Sequence, residues 1–427
     1  MSIRAEGVPP EPGEPAMSGR KGIADRLMPR LGSWARRNMD ILFMLARNVV
    51  PILIVRYEGR TFALVSRNDD VREVLSLPDV FQVPYAPKLR VIMGGGNIFL
   101  GMNDEPDFTR DKSTMRIVVP REEAMTRVKP EVERLAEDIV DGAGGRLDIA
   151  MQLTQAVTTR FFTGYFGTPA ADPTEFSDWA RILFKFQFVD VNDDPAVRAE
   201  AEPVARRLRE QVDAAIAERK AHRGERDDVL ERCLQLQDDG FPGLSDEQIR
   251  NNLIGFIVGG MPQPPMIVPQ LFDVLLDRPR ELAAACQAAR ADDDELVAKY
   301  VFEALRFYPL TPGLFRICAE PYRLAAGTWR ARTIPAGATV LALTRSAMLD
   351  GRRVPAPRQF RFDRPEYAYM HFGHGMHVCF GLYINQLMVP AICKAVLKKG
   401  ALRRAPGADG TLQMDGAFAK RLVVEYD

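Results

Sequence analysis

The segment Phe372-Gly-His-Gly-Met-His-Val-Cys-Phe-Gly381 constrains this chain more than any other stretch. It presents one cysteine in the spacing F-x-x-G-x-x-x-C-x-G, which fixes Phe372, Gly375, Cys379 and Gly381. Gly373 and His377 extend the pattern to F-G-x-G-x-H-x-C-x-G. Glycine adopts backbone angles closed to other residues and lets a flat partner come close to the main chain. A cysteine on such a loop is suited to offering a thiolate to a large planar cofactor such as haem. The alternative is a buried cysteine acting as a small hydrophobe. That is the reading taken for Cys233, Cys286, Cys318 and Cys393.

Zinc is a rival reading, because His371, His374 and His377 all precede Cys379. Positions this close in sequence need an unusual wrap to converge on one tetrahedral ion. The planar-cofactor pattern accounts for His377 and the glycines together. The five cysteines are scattered and form no C-x-x-C pair, which argues against a disulfide framework and fits a reducing compartment. With 57 basic and 57 acidic residues, the charge balance gives no reason to expect a nucleic-acid partner.

Residues 1 to 20, rich in Pro, Gly and Glu, read as a disordered tail. Gly22 to Ala46 is basic and amphipathic, a helix packed on the body or a weak membrane-surface contact. Ile41 to Val55 is the most apolar stretch, but Arg47, Asn48 and Pro51 break it before it reaches the roughly 20 residues a membrane span needs. No transmembrane anchor is expected, and the location expected is the cytoplasm. Pro51–Arg56 and Thr61–Ser66 read as a β-hairpin. From Asp69 to Pro309 helical patterns dominate. Asp194-Pro195 marks the start of a long charged helix, with Pro203 as a kink or a later start. Ser245-Asp-Glu-Gln has the capping-box pattern. Beyond Pro309 come short strands, and helix returns at Leu382 to Leu397. The expected class is mainly α, with small β-sheets at the two ends of the chain.

The cysteine segment resembles the ligand loop of the cytochrome P450 family. Two further matches carry the resemblance. Glu303-Ala-Leu-Arg306 with Tyr308-Pro309 is similar to the family's E-x-x-R helix, and Phe362-Asp-Arg364 supplies the arginine that completes a Glu-Arg-Arg network. Taken alone, Glu303 and Arg306 are an ordinary i, i+3 ion pair. The resemblance implies one domain over 21–427, haem b held between two long helices, and Cys379 on the iron. It implies that Glu303, Arg306 and Arg364 support haem incorporation structurally. Arg316, His377 and Lys112 fall where propionate partners are expected, while Phe108 stands at a position the family often gives to histidine.

The family's distal helix normally carries A/G-G-x-D/E-T-T/S. Here Gly259-Gly260 match, but Met261-Pro-Gln-Pro-Pro-Met266 follows, with Pro262 in the acid position and Gln263 in the threonine position. Gly260 and Gln263 are therefore the expected catalytic positions. Four prolines (Pro262, Pro264, Pro265, Pro269) predict a broken or widened helix, since one interior proline costs about 3 kcal/mol. An amide is not a general acid near neutral pH. Two enzymatic readings follow. One is a monooxygenase hydroxylating an apolar small molecule, with electrons from ferredoxin and ferredoxin reductase. The other is a peroxide- or hydroperoxide-using enzyme that needs no NAD(P)H. A non-catalytic haem-binding protein is the third reading. Phe81 to Gly96 and Phe184 to Val191 are expected to border the substrate.

Overall fold

Ile52–Tyr57 and Arg60–Val65 pair antiparallel, with Gly59 at φ +75° turning the corner, as alternating apolar residues around a glycine predict. The structure, a computed structural model, describes residues 39–57 and 59–427. Ala46–Asp427 form one compact unit. The expected tail over 1–20 lies outside the described residues, as does most of the basic segment from Gly22. The helix Met39–Val49 covers the end of that segment. Among the described residues, no helix is long and apolar enough to cross a membrane.

The hairpin does not stand alone at its end of the chain. Arg60–Val65 pairs in parallel with Thr339–Ala342, which continues through Leu314–Cys318 to Phe81–Gln82. Strands from both ends of the sequence thus build one five-stranded sheet. A second sheet joins Arg146–Asp148, from the middle of the helical region, to Val423–Glu425 and Arg403–Arg404. The expectation of separate small sheets at the two ends is corrected on both counts. Strand partners far apart in sequence leave no local signal, because pairing is set by the packed faces.

Helix starts follow the capping chemistry. Asp194 accepts from the Ala196 N–H at 2.8 Å and opens Pro195–Ala221. Ser245 and Gln248 form a reciprocal box, at 3.3 Å and 3.0 Å, ahead of Asp246–Gly260. Pro203 neither ends nor restarts its helix, which runs through it.

The distal segment differs from expectation in an instructive way. The helix Asp246–Gly260 ends and a second, Gln263–Leu276, begins after Met261-Pro262. Both linking residues keep right-handed helical angles (Met261 φ −63°, ψ −38°; Pro262 φ −74°, ψ −19°), so the chain path barely deviates. Pro264 and Pro265 fall in the first turn of the new helix, where backbone N–H groups have no intrahelical acceptor to lose. Only Pro269 sits in a helix interior, so the cost is far below that of four interior prolines.

Candidate functional site

The cysteine loop folds on its own backbone. Cys379 N–H donates to the Phe372 carbonyl at 2.8 Å, and Val378 N–H donates to Gly375 at 3.1 Å. Gly375 lies at φ +74°, and a Cβ there would stand 2.3 Å from the Leu75 carbonyl. The loop therefore lies directly on the end of the helix Asn68–Ser76, an approach closed to any other residue. A Cβ on Gly381 would stand 3.7 Å from the Cys379 sulfur and 2.9 Å from Asn385 Nδ2. Leu382–Leu397 starts immediately after, with Leu382 N–H donating to the Cys379 carbonyl at 3.2 Å.

From His371 to Asn385 no residue is buried, although Met370 and Met388 on either side are. A run of half-buried residues between two buried ones borders a space rather than filling a core. Phe380 reaches the distal helix, with its ring 5.2 Å from Phe256 and 5.3 Å from Phe99. These three rings form one apolar cluster between the loop and the distal helix. Burial pushes the Cys379 thiol above its usual range, opposed by the Gly381 N–H and by Arg116 and Lys112. A cysteine so placed ionises readily only when a metal takes the thiolate.

Positive charge converges here from two elements without acids to balance it. Lys112, on Pro106–Val118, donates to the Met376 carbonyl at 2.7 Å. Arg116, one turn on, lies 3.7 Å over the Phe380 ring. Arg316, on Leu314–Cys318, is 3% exposed, donates to the Phe315 carbonyl at 2.8 Å and faces the Tyr85 hydroxyl. Desolvation holds all three below their usual range, and no carboxylate stands among the groups acting on them. His377 joins them, packed edge-on against Phe108 at 5.2 Å. Its Nε2 is buried without a partner. Burial, then Arg316 and Lys112, lowers its pKa to about 4. One buried and two half-buried cations and an orphaned imidazole nitrogen beside a cysteine fit a planar cofactor with anionic arms. The residues present therefore fit haem.

Behind the loop, Glu303 and Arg306 are fully buried and paired by two bonds, at 2.7 Å and 2.9 Å. Arg364 Nε donates to the same carboxylate at 3.4 Å, and Tyr369 Oη donates to it at 3.1 Å. The two guanidiniums then bind the carbonyls of 355–359 and of Met348: Arg306 reaches Pro357 at 2.7 Å and Arg364 reaches Gln359 at 2.7 Å. One buried carboxylate thus clamps the irregular chain that leads into the cysteine loop. The sequence reading brought these three residues together and the structure does the same. It missed Tyr369, which no pattern marks, and Arg116, which the i, i+4 spacing from Lys112 would have found.

His371 does not turn toward His374 and His377. Its Nε2 meets the Phe302 carbonyl at 3.0 Å. Among the described residues no cluster of three metal-ligating side chains forms. Burial lowers the His371 pKa to about 3, the Phe302 carbonyl opposing and Arg306 adding to the shift. The unfolded imidazole takes a proton near 6.5 while the folded one refuses it until about 3. Acid therefore favours the unfolded chain across that window. The urea midpoint should fall as pH drops from about 6.5 toward 3, and His371→Asn should flatten that part of the profile. A slope unchanged by the substitution would assign the acid loss to other groups.

On the distal side, a Cβ on Gly260 would stand 2.7 Å from the Phe162 ring, so this glycine permits close helix packing. Gln263 donates its amide to the Gly259 carbonyl, bridging the break in the helix. Gly259 itself has open space at its Cβ position and borders an apolar cavity with Gly255 and Val258. Leu89, Ile92 and Met93 from Phe81–Gly96 line it, as does Phe188 from Phe184–Val191. Both expected segments therefore meet at the cavity. Phe184 and Phe186 belong to the core instead.

The model of the family described as Cytochrome P450 matches residues 287–417, the stretch that carries Glu303, Arg306, Arg364 and the cysteine loop. Over that stretch the chain is similar to the cytochrome P450 family. Relatives of this P450 include cytochrome P450 monooxygenase PikC of Streptomyces venezuelae, 28% identical over 70% of this chain and 67% of that protein. Mycinamicin IV hydroxylase/epoxidase of Micromonospora griseorubida is 26% identical over 80% and 82%. The crystal structure of CalO2 superposes with a TM-score of 0.78 at 22% identity, covering 92% of this chain and 97% of the other. That of P450BioI with an acyl carrier protein ligated to hexadec-9Z-enoic acid reaches 0.79 at 18% identity, covering 92% and 100%. The fold is thus the mainly helical P450 fold. This P450 is an enzyme whose cofactor is haem b.

Proposed function

We propose that this P450 is a monooxygenase that inserts oxygen into an apolar small molecule bound on the distal side, where Phe81–Gly96 and Phe184–Val191 approach Gly259. Cys379 would hold the haem iron through its thiolate. Haem, when bound, supplies the one-electron and oxygen chemistry. The chain's own residues do the rest. Arg316, Lys112 and His377 hold the anionic edge of the cofactor. Glu303, Arg306 and Arg364 keep the loop in place. The cluster of Phe99, Phe256 and Phe380 would keep water away from the site. The observation that carries the reading is the loop of Cys379 beside cations that lack acid partners. Relatives whose names include hydroxylases and monooxygenases support it. Electrons are taken to come from ferredoxin and ferredoxin reductase, and the five free cysteines fit a cytoplasmic enzyme.

One observation favours a second source of oxidant. Pro262 has neither N–H nor acidic group, and Gln263 commits its amide to Gly259, so the distal segment offers no side-chain proton donor between Gly259 and Met266. With ferredoxin, its reductase and NADH, turnover should be poorly coupled, with more NADH consumed than product formed and the difference released as hydrogen peroxide. Hydrogen peroxide supplied instead of NADH should support turnover by the same protein. Tightly coupled NADH-driven oxidation would show that water alone delivers the protons and remove the case for a peroxide route.

A further inference from the structure

The five-stranded sheet is apolar on both faces, yet only one face meets a core. Side chains alternate along a strand, so each face can be read from the register. Ile52, Ala63, Val65, Val340, Ala342 and Cys318 share one face and are buried in one cluster. The register puts Leu53, Val55 and Tyr57 on the other face, opposite Leu64, Phe62 and Arg60. Leu341 pairs with Leu64 there, and Phe315 with Leu341. Leu53 and Val55 are 38% exposed and Tyr57 61%, while Phe62, Leu64, Leu341 and Phe315 are half-buried. Among the described residues, none of these seven belongs to or packs against either buried cluster. Their sheet also ends on this side, because Ile52–Tyr57 is an edge strand. Val49 and Val50, which lead into it, are exposed as well.

A contiguous apolar face of this kind marks a surface that something covers. Charge decides what. No acid stands among these register positions, and Arg60 does. The chain that runs toward the strand carries Arg20, Lys21, Arg26, Arg30, Arg36 and Arg37 over residues 20–37, against Asp25 alone. With 57 basic and 57 acidic residues in all, that surplus is local. A second copy of the chain would bring like charges together, and the face offers no carboxylate to its own basic stretch. Anionic lipid satisfies both features: apolar side chains enter the headgroup boundary while cations meet phosphates. We infer that the outer face of this sheet, Leu53, Val55 and Tyr57 foremost, docks on an anionic lipid surface, with the cations of 20–37 supplying the attraction. The attachment is peripheral, since no helix among the described residues is long and apolar enough to cross a membrane.

The test sediments the full-length, haem-loaded protein with vesicles of phosphatidylcholine, with or without phosphatidylglycerol. At low ionic strength the protein should bind the anionic vesicles, and the neutral ones at least about tenfold more weakly. Added salt should release it. Leu53→Thr combined with Val55→Thr keeps strand-forming side chains and removes apolar surface. The pair should weaken binding to the anionic vesicles about tenfold and leave the urea midpoint in place. Arg36→Gln with Arg37→Gln should weaken it about tenfold too. Failure to bind anionic vesicles overturns the inference. Binding that the threonine pair leaves intact also overturns it, because the basic stretch then acts alone. A urea midpoint lowered by the threonine pair would show that the chain itself covers the face, and loss of a dimer in light scattering would show that a second copy does. Either result overturns the lipid assignment.

Discussion

Cys379→Ser protein should lose the ferrous–CO absorption typical of thiolate haem, and with it oxidase turnover. The reason is local. Cys379 is the sole cysteine of a loop whose glycines bring it against Leu75 and Asn385, and the other four cysteines, Cys233, Cys286, Cys318 and Cys393, are buried in the core. Serine is a weaker ligand whose hydroxyl stays protonated in a desolvated site. Loss of even an outer-shell partner costs roughly 10–100-fold in metal affinity or activity, so removing the ligand itself should exceed that. Because the Ser side chain fits the same space, the protein should still fold, which circular dichroism would check. An unchanged ferrous–CO spectrum would assign the axial position to another residue.

Glu303→Gln should destabilise the protein by about 3–5 kcal/mol, the usual consequence of leaving a buried charge without its partner. Two cations are stranded here, since Arg306 and Arg364 share the one carboxylate. Their remaining bonds to the carbonyls of 355–359 cannot replace a full negative charge at 0% exposure. Against a total stability of about 5–15 kcal/mol, this is a large share. The urea midpoint should fall, and the ratio of haem to protein after purification should fall with it, because the clamped segment leads directly into the cysteine loop. Tyr369→Phe removes one neutral donor from the same carboxylate and should cost about 1 kcal/mol. A Glu303→Gln midpoint close to that of Tyr369→Phe would show that the two arginines find enough compensation from carbonyls alone.

What was legible in the sequence followed from short-range chemistry. The cysteine loop could be read because its glycines answer local demands, a positive φ at Gly373 and Gly375 and close approach at Gly381. The capping box at Ser245 and the Asp194 cap could be read because both bonds close within one turn. Glu303, Arg306 and Arg364 were legible through resemblance, and the structure places both guanidiniums on the one carboxylate. The prolines after Gly260 were legible as a helix break, but not their mild effect. That depends on Pro264 and Pro265 landing in a first turn, where no backbone bond is lost.

The sequence by itself determined the cysteine loop, the helix starts and the missing acid–alcohol pair. Each is a property of residues within a few positions of one another. Only the tertiary structure decided which strands share a sheet, that Lys112 and Arg316 approach His377 from different elements, and that Gln187 Oε1 is buried without a partner. Such facts depend on burial and on groups brought together from across the chain, where desolvation turns ordinary arginines and an ordinary glutamine into groups that require a partner.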